Sequence, residues 1–224
     1  MKITPAEMAG LIDHTLLKPE ATVGQVSDLC REAVEYGFKA VCLNSCQVAL
    51  ARRELGRAPV LVCAVVGFPL GASPAPIKAA EAALAVSEGA REIDMVLNIG
   101  YLKSGLLKET GADLYEVIRR VKQEDAVAVV KVILETCLLT DAEKITACRL
   151  VLEAGGDYVK TSTGFNVSGA RVEDVRLMRQ TVGVSLGIKA AGGISNLNAA
   201  LAMLEAGATR LGASAGIKII EEMK

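Results

Sequence analysis

One histidine, His14, is all the imidazole in this chain of 224 residues, so a zinc centre built mainly from histidines is excluded. The six cysteines (Cys30, Cys42, Cys46, Cys63, Cys137 and Cys148) form no CxxC pair and lack zinc-finger spacing. No EF-hand loop occurs. Metal-dependent chemistry is therefore not expected, although the carboxylates leave a bound magnesium ion open, and no cofactor is expected. Most cysteines sit in apolar stretches such as VLVCAVVGF, which suits reduced core thiols better than disulfides. Also missing is any run approaching the about 20 apolar residues of a membrane span. Residues Met1 to Gly10 lack the basic start and apolar stretch of a signal peptide, so a cytoplasmic address is expected. Charge of one sign is not in excess either: the formal net charge is −1. Nothing in that figure attracts nucleic acid or an anionic membrane, and a charged partner has to be met by a local site.

About half of the residues are apolar, and the length suits one domain spanning 1–224. Short β-branched runs alternate with longer alanine-rich amphipathic runs. Strands are expected near 10–14, 39–43, 60–67, 92–97, 127–134, 157–161, 184–190 and 208–212. Helices are expected near 22–36, 45–55, 74–88, 109–122, 141–154, 171–181, 196–206 and 214–222. The phrases EYGFKAV, SEGAREI, EAGGDYV and EAGATRL repeat one design of helix end, glycine, turn and strand. Thr140 and Glu143 have capping-box spacing, and Ser73-Pro74 reads as an N-cap followed by proline at the first helical position. Eight βα units with a period of about 28 residues point to a closed (β/α)8 TIM barrel. The alternative, an open doubly wound sheet, lacks both a GxGxxG opening its first helix and a GxxxxGK[ST] loop.

Strand residues alternate between the barrel interior and the helix layer. That alternation sends Val184, Leu186 and Ile188 outward, with Ser185, Gly187 and Lys189 inward. Tyr158 and Lys160 turn inward, as do Glu92, Asp94, Val96 and Asn98, and so do Val129, Lys131, Ile133 and Glu135. Three lysines and several carboxylates thus converge on a small interior, where unpaired charge is costly. Two readings are open. One is a structural ion-pair layer, with Lys131 bonded to Glu92 or Glu135. The other is amine chemistry by Lys160 and Lys189, both read as standing at the C-terminal ends of their strands, the rim at which barrel enzymes react. A cation at Lys189 disfavours protonation of Lys160 and frees that amine to attack a carbonyl, with Asp94 holding the cation or relaying protons.

Glycine- and hydroxyl-rich segments follow the last three expected strands: Thr161 to Gly164, Ala190 to Asn196, and Gly212 to Gly216. In barrels the loops after strands seven and eight often bind phosphate through backbone N–H groups. A small phosphorylated substrate fits that arrangement. An isomerase with a carboxylate base and a phosphosugar-binding module without activity share the same loops and are the competing readings.

The same residues carry a likeness. Over nearly its whole length the chain resembles the DeoC family of class I aldolases. The likeness lies in LIDHTLLKP (11–19), AVCLN (40–44), VVGFPLG (65–71), EIDMVLNIG (92–100), VKVILET (130–136), YVKTSTGF (158–165), GIKAAGGI (187–194) and RLGASAG (210–216). It implies a lyase of deoxyribose phosphate catabolism that reversibly cleaves 2-deoxy-D-ribose 5-phosphate into glyceraldehyde 3-phosphate and acetaldehyde, without a metal. It places the Schiff-base lysine at Lys160, the second active-site lysine at Lys189 and the acid–base aspartate at Asp94. Phosphate contacts fall on Thr163, Gly164, Gly192, Gly193 and Gly212 through Ser214, while Asp13, Thr15 and Cys42 match positions near the substrate. Cys42 reads better as a small apolar strand residue than as a thiol exposed to aldehydes, and His14 as a hydrogen-bonded residue rather than a base. Phe165 stands where some members have lysine, and Ser45 where many have proline. A homo-oligomer, a dimer or larger, is the family expectation, with neither nucleic acid nor membrane as partner.

Overall fold

The computed structural model describes residues 3–224, and within them eight parallel strands close into a barrel in chain order. They are β1 (Ile12–Leu16), β2 (Ala40–Asn44), β3 (Leu61–Val66), β4 (Glu92–Val96), β5 (Val129–Ile133), β6 (Tyr158–Lys160), β7 (Gly187–Ala191) and β8 (Arg210–Ala213). The barrel closes where Asp13 of β1 pairs with Gly212 of β8. A (β/α)8 TIM barrel is the architecture that the alternating pattern demands.

The helices are α1 (Pro5–Ala9), α2 (Val23–Tyr36), α3 (Val48–Leu55), α4 (Ala75–Ser87), α5 (Ile99–Lys103), α6 (Leu107–Glu124), α7 (Asp141–Glu153), α8 (Val172–Val182), α9 (Leu197–Glu205) and α10 (Gly216–Glu221). Among the described residues no helix is long and apolar enough to cross a membrane. Local chemistry sets several boundaries. Thr140 and Glu143 form the capping box of α7 reciprocally, satisfying two donors that a helix start otherwise leaves open. Gly37 stops α2 in the left-handed conformation, with φ 69°.

Between strands and helices lies the main apolar core. Ile93, Met95 and Leu97 point into it from β4 and the residue after it, as Val130, Val132 and Leu134 do around β5. Alternation sends the intervening residues inward, so the charged side chains of β4 and β5 meet inside the barrel. Gly187 permits one close approach there: a Cβ at this position would lie 2.1 Å from the Tyr158 ring.

Four local expectations are corrected. Strand β7 begins at Gly187, three residues later than read, and Val184 is 98% exposed in the preceding turn instead of facing the helix layer. Ser73 does not cap α4; Pro74 itself occupies the N-cap position, without a side-chain hydrogen bond. The helix expected from residue 45 starts as a 3-10 turn (Ser45–Gln47) and becomes α-helical only at Val48. Helices α1 and α5, five residues each, were not expected, because so short a segment shows no full period of apolar positions.

Candidate active site

Asp94, in the middle of β4, is the hub of the barrel interior. Its Oδ2 accepts from Lys160 Nζ and from Lys189 Nζ, each at 2.7 Å. Its Oδ1 accepts from Lys131 Nζ at 2.7 Å and from the Cys63 thiol at 3.1 Å. Strand pairing explains the convergence: Asp94 sits opposite Lys131 across β4 and β5, and Lys160 opposite Lys189 across β6 and β7.

A second carboxylate, Asp13 on β1, accepts from Lys189 at 2.5 Å and from Arg210 at 2.7 Å. Glu92 completes the layer, lying 2.7 Å from Lys131 and accepting two 3.1 Å bonds from the Arg210 guanidinium. Lys131 therefore pairs with Glu92 and Asp94 and not with Glu135, whose carboxylate accepts instead from the backbone N–H and hydroxyl of Thr163. Glu135 lies beyond the end of β5, above this layer, and that position explains the correction.

The electrostatics follow from burial and pairing. Burial alone pushes the Asp94 carboxyl up, but Lys131, Lys160 and Lys189 overcome it and hold Asp94 well below its ordinary value. Asp13 is lowered in the same way, against its burial, by Lys189, Lys131 and Arg210. Burial pulls Lys189 down, yet Asp13 and Asp94 outweigh it and raise that ammonium well above the ordinary lysine value. Lys131 is raised against its burial by Asp94 and Glu92, with Cys63 adding to the effect. The resting form of the Lys189–Asp94 contact is thus ammonium and carboxylate.

Above this layer opens a cavity of about 330 Å³. Lys160, the last residue of β6, reaches it, and Thr15, Thr163, Gly164 and Phe165 form part of its wall. Gly192, Gly193, Gly212 and Ser214 line another part. Lys189 was read as ending its strand but lies mid-strand in β7, and it is fully buried beneath the cavity with Asp94, Asp13 and Cys42. Phe165 meets Phe68 edge to face at 5.2 Å, tying the loop after β6 to the loop after β3.

Cys42 and Cys63 are paired positions of β2 and β3 in a small apolar cluster with Leu17 and Val65. A hydrogen bond with Cys63 lowers the Cys42 thiol to about 7; burial opposes the change, and Lys189 adds to it. The donor atoms of Cys42, Cys63 and Asp94, and those of Asp13, Cys63 and Glu92, are close enough to share a metal ion. Their carboxylate oxygens, however, are already taken by lysine and arginine donors. The donor set fits ion pairing better than metal binding.

His14 faces away from this chemistry, its Nε2 lying 2.7 Å from Glu32 on α2. Ser45 donates to Glu81, which also accepts from the Gly67 N–H, so a hydroxyl braces the loop after β3. Arg210 escaped the sequence reading. Its signal was alternation, since a residue two positions before the inward Gly212 must also turn inward.

The comparisons with known proteins concern family and fold. The family model of the DeoC/LacD family aldolases matches residues 8–222. A deoxyribose-phosphate aldolase of Caldanaerobacter subterraneus subsp. tengcongensis is 56% identical over 217 residues, covering 97% of this chain and 94% of the relative. Among solved structures, QR15, an aldolase, has a TM-score of 0.90 at 39% identity, covering 96% of this chain and 95% of its own. The deoxyribose phosphate aldolase of Aeropyrum pernix, described as a unique tetrameric structure, has a TM-score of 0.88 at 34% identity, covering 97% and 91%. Sequence and fold agree over almost the full length, and the chain belongs to the DeoC/LacD family of aldolases.

Proposed function

We propose that this chain is a class I aldolase that reversibly cleaves 2-deoxy-D-ribose 5-phosphate into D-glyceraldehyde 3-phosphate and acetaldehyde, with Lys160 as the nucleophile. The observation that carries the assignment is the position of Lys160: it ends its strand at the cavity while sharing one oxygen of Asp94 with Lys189.

Charge counting selects the reactive amine. The interior layer holds four cationic side chains, Lys131, Lys160, Lys189 and Arg210, against three carboxylates, Asp13, Glu92 and Asp94. Full protonation leaves one positive charge in excess, which burial disfavours. Lys131 and Lys189 each pair with more than one carboxylate, whereas Lys160 pairs with Asp94 alone. Lys160 is therefore the lysine of this layer with the fewest carboxylate partners, and it is the one that reaches the cavity.

In the cleavage direction Lys160 Nζ attacks the C1 carbonyl of the open-chain sugar, and the carbinolamine loses water to give an iminium. The Asp94–Lys189 pair takes the proton of the C3 hydroxyl, directly or through solvent. The C2–C3 bond then breaks, its electrons flow into the iminium to give an enamine, and glyceraldehyde 3-phosphate leaves. Protonation of the enamine carbon and hydrolysis of the iminium release acetaldehyde and restore the amine. Gly164, Gly192, Gly193, Gly212 and Ser214 would receive the phosphate through backbone N–H groups and the serine hydroxyl. An isomerase with a carboxylate base fits less well, because it leaves the Lys160 amine at the cavity without a role. A cytoplasmic location and a homo-oligomeric state belong to this proposal.

The test is borohydride reduction in the presence of acetaldehyde, followed by peptide mass mapping. A borohydride-dependent two-carbon adduct on Lys160 is expected. Folded protein that yields no adduct overturns the assignment.

A further inference from the structure

Glu135 has no part in the chemistry above, yet its placement is unusual. It is 2% exposed and, among the described residues, the only non-glycine with a positive φ, 57°. A side chain with a Cβ disfavours that backbone, which persists where its surroundings hold it, often at functional sites. Among the described residues no cation is ion-paired with it.

Both carboxylate oxygens accept from Thr163, and Oε1 also accepts from the Cys137 thiol at 3.9 Å. Oε1 accepts from the Thr163 N–H at 3.3 Å, and Oε2 accepts from the Thr163 hydroxyl. Thr163 Oγ1 in turn accepts from the Phe165 N–H at 3.1 Å. Thr163 has no third donor, so with both committed to Glu135 neither its amide nor its hydroxyl is left for an incoming anion. On the other side the same loop packs through glycines: Ala170 N–H donates to the carbonyls of Ala191 and Gly192 at 3.1 and 3.0 Å. A Cβ on Gly169 would lie 2.2 Å from the Gly192 carbonyl oxygen, so the two loops nearly touch backbone to backbone. The loop that carries Gly164 and Phe165 into the cavity wall is thus clamped between Glu135 and the turn after β7.

We propose that Glu135 is a positioning residue for phosphate recognition, acting through Thr163 to fix the Gly164–Phe165 backbone; this rests on the reading of the cavity as a phosphosugar site. Thr163 is then a relay between Glu135 and the loop and not itself a phosphate donor. A buried carboxylate close to an anion site is tolerable in this role because Thr163 donors occupy both of its oxygens.

The experiment compares Glu135→Gly, Glu135→Gln and Thr163→Val with the unaltered full chain. Glycine accepts the backbone conformation freely, so its variant removes the carboxylate without adding strain. Cleavage of 2-deoxyribose 5-phosphate and of unphosphorylated 2-deoxyribose is measured, together with borohydride trapping of acetaldehyde. For Glu135→Gly and Thr163→Val, KM for the phosphorylated sugar should rise about tenfold or more, the worth of a charge-assisted hydrogen bond. For Glu135→Gly, kcat, kcat/KM on the unphosphorylated sugar and acetaldehyde trapping should stay near those of the unaltered chain. Glu135→Gln keeps one acceptor and should recover much of the loss. An unchanged KM, or an equal loss on both sugars, overturns the assignment of Glu135. Failure of the unaltered chain to trap acetaldehyde overturns the aldolase reading, and this assignment with it.

Discussion

Lys160 and Lys189 occupy paired positions on adjacent strands, and both ammonium groups point at one oxygen of Asp94, 2.7 Å from each. Two cations on one acceptor is an arrangement that a purely structural network has little reason to build, since each weakens the hold on the other. It resolves itself if one lysine is neutral when the site works.

Lys160→Met should abolish borohydride trapping and lower turnover by about four orders of magnitude or more, a scale typical for loss of a covalent nucleophile. The far-ultraviolet circular dichroism should be unchanged, because Asp94 keeps Lys131 and Lys189 as partners. Substantial residual turnover would remove Lys160 from the mechanism.

Lys189→Leu should move the activity optimum to higher pH, because it removes the neighbouring charge that disfavours protonation of Lys160. Turnover should fall by about a hundredfold or more, as for loss of a group in proton transfer. A pH–rate profile superimposable on that of the unaltered protein would count against this role.

Lys78→Met tests a second buried pair, outside the barrel interior. Lys78 is fully buried; its ammonium lies 2.5 Å from Asp113 on α6 and donates to the Val96 and Gly71 carbonyls at 3.2 and 3.4 Å. Removing it strands the Asp113 carboxyl, whose value burial already raises, and should cost about 3–5 kcal/mol in urea unfolding. A loss below about 1 kcal/mol would mean that Asp113 reaches water or takes up a proton easily.

Stability should depend on pH at both extremes. Asp94 and Asp13 have folded values below the ordinary 3.8, so their contribution is present above that pH and lost as the pH falls through the folded values. Lys131 and Lys189 have folded values above the ordinary 10.5, so theirs is present below that pH and lost as it rises through the folded values. Urea midpoints should form a plateau between these limits and decline outside them. A midpoint that falls steadily between pH 5 and pH 9, about the middle of that range, would show that other groups dominate.

The alternation in EIDMVL was enough to separate Glu92 and Asp94 from Ile93 and Met95, because a strand has period two whatever surrounds it. For Lys131 the sequence left Glu92 and Glu135 as alternative partners, and Glu92 is the one that pairs with it. Glu135 is near in sequence, but closure of the barrel brings Glu92 and Asp94 to the ammonium and leaves Glu135 above them. The depth of Lys189 was misjudged because β7 runs on to Ala191, so two strand residues follow Lys189, and its ammonium is held on Asp13 and Asp94. The glycine loops, by contrast, were visible as composition, and the fold brings Gly164, Gly192, Gly193 and Gly212 to one cavity. The role of Thr163 was hidden, since no local pattern reveals that a carboxylate from another strand end takes its donors.

The cavity meets the charged layer at Lys160, and the rest of that layer lies buried beneath it. Reactivity and selectivity are therefore separate compartments of one barrel. Leu17, Phe165 and Ile194 line the chamber beside Lys160, and the ion pairs of the lysine–carboxylate lattice involve none of them. Exchanging them re-cuts the mould for the incoming aldehyde while the reactive amine keeps its electrostatic setting, so new acceptors are reached by changing the walls alone.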